Sequence, residues 1–148
     1  MKRIASLQPL SRHHHHALVL CWKIKKAFYT GVEVSRIKRY TDWFYHEHLV
    51  PHFDSEERSV FPVLGNEHPL IQQALAEHVQ ISNLFCDTTD PKNSLQQVAI
   101  DLEKHIRFEE RVLFNHIQDV ATPEQLVEIE RCSSDEFFVD DFSDVFWK

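Results

Sequence analysis

The sequence is poor in the residues that make turns. Its 148 residues include two glycines, Gly31 and Gly65, and six prolines, too little turn chemistry for an all-β fold with its many reversals. Cysteine is scarce as well. Cys21, Cys86 and Cys132 are odd in number and lack CxxC spacing, which fits reduced thiols and a cytoplasmic location. No stretch approaches the ~18 consecutive apolar residues of a membrane span, and the opening MKRIASLQPL lacks the apolar run of a secretory signal. Positive charge is in deficit. The net charge is -7 with histidine neutral, which removes nucleic acid from the expected partners. A hydrophobic content of 43% supports a real core, and the length is that of one domain. That domain is expected over residues 1–148, with a helical bundle over about 7–120 and a C-terminal helix and tail over 121–148.

What the chain has in excess is histidine, eleven in all. Four are consecutive, His13 to His16. A purification tag sits in a disordered polar tail. These four instead follow Ser11, read as a helix N-cap, and run directly into Ala17, Leu18, Val19 and Leu20, so their context is helix. Most of the other histidines are expected at surfaces and helix ends.

The periodicity predicts four long helices. The first runs from Ser11 to just before Gly31. The second is capped by Ser35 and extends from Arg36 to Leu64, with a kink at Pro51 and Gly65 as the residue just past its end. The third starts at Pro69, in a first-turn position, and reaches about Cys86. After the loop DTTDPKNS the fourth runs from about Ser94 to Val120. In TPEQ, Thr122 and Gln125 form a capping box that opens a short fifth helix ending near Arg131. The tail SSDEFFVDDFSDVFWK mixes acids with aromatics, and either frays or docks on the bundle. The expected fold class is therefore all-α: an up-down-up-down four-helix bundle with a short fifth helix and a C-terminal tail.

The second and fourth helices carry one repeat. HFDSEERSVF (His52 to Phe61) matches HIRFEERVLF (His105 to Phe114) at His, Glu, Glu, Arg and Phe. His52 and Glu56, like His105 and Glu109, are four residues apart and share a helix face. Tyr45, Leu49, Val60 and Val63 lie on the stripe of the first pair. Leu102, Phe108, Val112 and Leu113 lie on that of the second. Polar groups interrupting a core stripe are costly unless they are paired or bind metal. Glu57 and Glu110 fall one step off the stripe, toward solvent or an arginine. On the third helix His78 stands among Ile71, Ala74, Leu75, Ile81 and Phe85. On the first, the heptad steps from His14 meet Leu10, Ala17, Cys21, Ile24 and Phe28, whereas those from His15 meet Lys25. His14 is thus the better inward histidine and His15 the second choice, with His13 and His16 exposed or beside the site. His48, one turn before His52, and Tyr45 are either extra ligands or donors near the site, or face solvent. Cys21 is read as core packing. Four imidazoles and two carboxylates suit iron, manganese or zinc. Carboxylates that can bridge favour two ions, and a six-ligand set leaves open positions for small-molecule chemistry.

The segments SRHHHHALVL, PHFDSEERSVFPVL, AEHVQI and HIRFEERVLF resemble the hemerythrin-like (HHE cation-binding) family over roughly residues 7 to 120. The resemblance implies a four-helix bundle around a non-haem di-iron centre that binds or reacts with dioxygen, nitric oxide or peroxide. It also implies ligand roles for His14, His52, Glu56, His78, His105 and Glu109, with both glutamates bridging. Oxygen-carrying members have HxxxH on the third helix, where this chain has Ala74 at the first position. Their last helix has an aspartate five residues after the histidine, where this chain has Glu109 four after His105. The ligand set is more similar to that of the repair-of-iron-centres proteins, whose additional N-terminal cysteine-bearing domain is not expected here.

The leading expectation is a cytoplasmic protein with two iron ions, replaceable by zinc or manganese, that binds a small diatomic ligand in storage, sensing or detoxification. A di-iron redox enzyme or iron donor is the second reading. A metal-stabilised structural or interaction module is the third.

Overall fold

A computed structural model describes residues 2–133 and 138–148, and among them there is helix but no strand. After a short 3-10 turn, Ala5–Leu7, comes α1, Gln8–Thr30. A continuous helical run over 34–63 is α2. It consists of Val34–Phe44, a π turn Tyr45–Leu49, Val50–Ser55, a second π turn Glu56–Val60 and a 3-10 end Phe61–Val63. Pro69–Cys86 is α3. The run over 91–120 is α4, made of Pro91–Phe108, a π turn Glu109–Leu113 and Phe114–Val120. Pro123–Cys132 is α5. Connections of three to five residues leave successive long helices antiparallel neighbours.

The helix ends are set by local chemistry. Gly31, at φ 76°, ends α1 in the left-handed conformation that glycine adopts without strain. Gly65, at φ 90°, does the same after α2. The Thr122–Gln125 capping box is formed as expected, with the Gln125 amide nitrogen 3.2 Å from the Thr122 hydroxyl and the reverse bond at 2.9 Å.

Three boundaries differ from expectation. Ser11 is no cap, because Pro9 already starts α1 in its first turn. Glu33, not Ser35, precedes the first residue of α2. α4 begins at Pro91 because the Asp90 side chain caps it by accepting from the Asn93 amide. At Pro51 the helix continues. The missing N–H of proline falls just after the π turn Tyr45–Leu49, where the backbone bonds are already re-spaced.

Two apolar clusters stack along the bundle. One contains Ala17, Leu49, Phe53, Ile81, Leu102 and Ile106. The other contains Leu10, Val60, Ala74, Leu113 and Phe114. Each long helix passes from one cluster to the other at a polar residue: His14 on α1, Glu56 on α2, His78 on α3 and Glu109 on α4. The site is thus a buried polar layer between two apolar clusters. Val112, expected on the core stripe, is 38% exposed. The π turn at Glu109–Leu113 inserts one residue into the helical turn and rotates the segment after it, so that Phe114 joins the expected Leu113 in the core in place of Val112.

The tail docks over its described part. Phe146 is buried in the first cluster, and Trp147 and Phe138 pack against it. The Lys23 ammonium, on a residue 4% exposed, donates to Asp140 at 2.5 Å and to the Tyr40 hydroxyl at 2.8 Å. It also lies 3.7 Å from the centre of the Trp147 ring. Arg36 grips Asp144 with two nitrogens, at 2.8 and 2.7 Å. Of the tail's five aromatics, Phe137 lies outside the described residues.

Candidate metal centre

The fold brings His14, His52, Glu56, His78, His105 and Glu109 together at one depth, each no more than 4% exposed. They form two overlapping groups whose donor atoms lie within 4.8 Å of one another. One is His14, His52, Glu56 and Glu109; the other is Glu56, His78, His105 and Glu109. The two carboxylates belong to both. Glu56 offers one oxygen to each side: its Oε2 is 3.3 Å from His52 Nε2 and its Oε1 is 3.1 Å from His78 Nε2. Glu109 offers a single atom to both, its Oε1 being 3.1 Å from His14 Nε2 and 3.2 Å from His105 Nε2.

These approaches are ion pairs without hydrogen-bond angles. Among the described residues, seven buried side-chain atoms have no hydrogen-bond partner. Six of them are Glu56 Oε1 and Oε2, Glu109 Oε1 and Oε2, His78 Nε2 and His105 Nε2. Orphaned buried polar atoms are rare in native proteins, and six in one cluster is a donor set facing a common point. Two donors each ~2.1 Å from one ion at a right angle would stand ~3.0 Å apart, close to the nitrogen–oxygen spacings here. The residues therefore fit a pair of metal ions. The two π turns, Glu56–Val60 and Glu109–Leu113, each begin at a shared glutamate, a placement typical of π turns at functional sites.

Each inward imidazole is held from behind. His105 donates from Nδ1 to Glu77 Oε1 at 2.7 Å, His78 to Glu57 Oε2 at 2.8 Å and His14 to Glu110 Oε2 at 3.0 Å. With its Nε2 turned inward, His52 meets His13, the two Nδ1 atoms being 3.0 Å apart. Ser11 in turn donates to both oxygens of Glu110, at 3.0 Å each. These contacts set the tautomer and the ring orientation.

Glu57 is exposed and Glu110 lies near an arginine, as expected, but each also has a histidine partner. Both reach across to a neighbouring helix, and only Glu110 also has an arginine nearby, Arg3 at 3.8 Å. Glu77 was not singled out in the sequence at all. Its position one residue before His78 carries no local signal, since its partner is on α4.

Burial pulls His14, His78 and His105 toward their neutral forms, but the facing carboxylates outweigh it. His14 is raised well above its ordinary value by Glu109, Glu110 and Glu56. His78 is raised by Glu56 and Glu57. His105 is pushed up to about 10, chiefly by Glu109 and then Glu77. Burial pushes Glu56 up, yet His52, His14 and His78 hold it well below the usual carboxylate range.

The other candidates lie apart from this set. His15 is exposed. The His48 ring packs edge-on to Trp43 and against Phe138, at 5.0 and 4.6 Å. Tyr45 stacks on Phe85 at 4.9 Å. Cys21 is buried, and burial pushes its thiol up to about 12, which leaves it inert.

The hemerythrin HHE cation binding domain matches residues 6–117. No curated protein and no solved structure matches the chain.

Proposed function

The chain belongs to the hemerythrin HHE cation-binding domain family, and on that premise we propose that it holds two iron ions and binds dioxygen or a related diatomic ligand beside them. The observation that carries this reading is the layer of four imidazoles and two shared carboxylates with six unpartnered atoms facing inward. His14 and His52 would hold one ion, His78 and His105 the other, and Glu56 and Glu109 both. Mixed nitrogen and oxygen donors suit iron, and equally manganese or zinc as substitutes. For an ion that takes six donors, as iron does, four from the protein leave positions open for a small ligand, whereas the same four would close a tetrahedral zinc site. Bound iron supplies electrons and a Lewis acid to a small ligand. The chain's own residues do the rest. Glu77, Glu57, Glu110 and His13 fix the four rings, and apolar clusters pack above and below them. The three cysteines are free and no helix among the described residues is long and apolar enough to cross a membrane, which supports the cytoplasmic assignment.

The test is metal analysis and an optical spectrum of protein prepared without oxygen, before and after air. Two irons per chain and a charge-transfer band that appears in air and reverses on removing oxygen is the expected result. A band that decays irreversibly favours oxidation chemistry or sensing. Zinc, or no metal, with no spectral change refutes the reading.

A further inference from the structure

The cavity that reaches the metal layer is far larger than a diatomic ligand requires. Its volume is about 740 Å³, against roughly 30 Å³ for one water molecule in the liquid, and it lies in the range of sites for small organic molecules. Its inner end is His14, His52 and His105. Beside the polar His13 and Ser55 its walls are mainly apolar, with Ala17, Phe44, Leu49, Phe53, Leu102 and Ile106 along them. All six are buried and belong to the core cluster of α1, α2 and α4, so the walls are part of a packed scaffold. The outer end carries Arg12, His16, Glu47 and His48, of which Arg12 and Glu47 are exposed to solvent. The tail completes it. Phe138 stacks on His16 at 4.2 Å and leans on His48 at 4.6 Å.

A passage for a diatomic gas needs neither this volume nor an aromatic wall. An apolar chamber ending on imidazoles and open coordination positions matches a molecule with an apolar body and an oxygen-donor head, because open metal positions accept oxygen donors. We propose that this cavity binds a small organic oxyanion, of the size of an aromatic or medium-chain carboxylate. Its body lies against Pro51, Phe53 and Phe138, and its head faces the metal layer. The placement of the head rests on the two-ion reading above. The placement of the body does not.

The experiment is calorimetric titration of benzoate into the full-length protein, metal-free and iron-loaded, with azide as a small-anion control and iron content measured on every sample. Saturable benzoate binding to both forms is expected, tighter by about tenfold in the loaded form. Ala17→Phe, which fills the chamber, should weaken benzoate by about tenfold or more. Phe138→Ala, in the tail and outside the bundle's helices, should weaken it severalfold, and it decides the matter should Ala17→Phe not fold. Azide binding to the loaded protein without benzoate binding to either form overturns the proposal, as does benzoate binding that both variants leave unchanged. Benzoate binding that is sensitive to the variants in a protein that takes up no iron upholds the chamber and refutes the metal reading instead.

Discussion

Replacing Glu77 by glutamine tests whether the outer carboxylates serve the metal layer. The His105 ring is 1% exposed, and its Nδ1 donates to Glu77 at 2.7 Å. Hydrogen bonds to a charged partner contribute about 1.5–3 kcal/mol and neutral ones about 0.5–1.5. An amide keeps the acceptor and loses the charge, so the variant gives up about 1–1.5 kcal/mol, or roughly tenfold in metal affinity. This lies at the lower end of the ~10–100-fold typical of partners behind metal-bound histidines. Glu110→Gln should act similarly on His14, since that carboxylate is 30% exposed. Glu57→Gln should cost only severalfold, because Glu57 is 43% exposed and water screens it. The assay is zinc uptake by metal-free protein in competition with a coloured chelator, with the exposed Glu124→Gln as control. Helical content of the metal-free variants should stay near that of the parent, with the unfolding midpoint lowered by a few degrees at most because the same bonds support the metal-free fold. Affinities within twofold of the control for all three variants would refute the argument that these glutamates hold the ligand rings.

Three further outcomes are expected. His52→Ala should lose one metal ion per chain and His105→Ala the other, whereas Glu56→Ala, shared by both groups, should lose both; metal analysis after gel filtration decides, and equal losses from all three variants would contradict two distinct positions. In metal-free protein, His14, His78 and His105 have raised values, so their stabilisation is complete below about pH 6.5 and is lost as pH rises through the folded values, about 10 for His105. Glu56, held low, adds stability above its ordinary value of 4.5 that is lost as pH falls. Metal must displace the imidazole protons, so affinity should climb from about pH 6.5 toward 10 with protons released on binding; calorimetry in two buffers of different ionisation enthalpy measures this, and no proton release at pH 7 counts against it. Finally, Asp140→Asn strands the Lys23 ammonium, whose side chain is 6% exposed against 14% for Asp140. The cost should be about 2–3 kcal/mol, below the ~3–5 of a fully buried pair. That is a drop of roughly 4–12 °C in midpoint by scanning calorimetry; a change under about 2 °C would mean that the clasp contributes little.

Much of this protein is legible one helix at a time. The i,i+4 spacing of His52 with Glu56 and of His105 with Glu109 puts each pair on one face whatever surrounds it. The apolar steps around His14 and His78 select them because a helix turns by a fixed angle per residue. Thr122 with Gln125, Gly31 and Gly65 mark helix ends through chemistry confined to a few neighbours. The sequence by itself thus determined the four helices, the identity of the inward donors and their doubling in a repeat.

What it did not carry depends on packing between elements. Glu57, Glu77 and Glu110 sit at the edge of the apolar stripe, where periodicity assigns them to solvent. They are drawn in by histidines 21, 28 and 96 residues away. Lys23 is buried because Asp140, 117 residues later, arrives beside it. The π turns at Glu56 and Glu109 leave no mark in a 3.6-residue pattern, yet they turn Val112 outward and Phe114 inward. Phe138 closes a chamber whose other walls come from three helices. A side chain at the boundary of a helix face has two nearly equal environments, and only the neighbouring helix, by supplying or withholding a charge, decides between them.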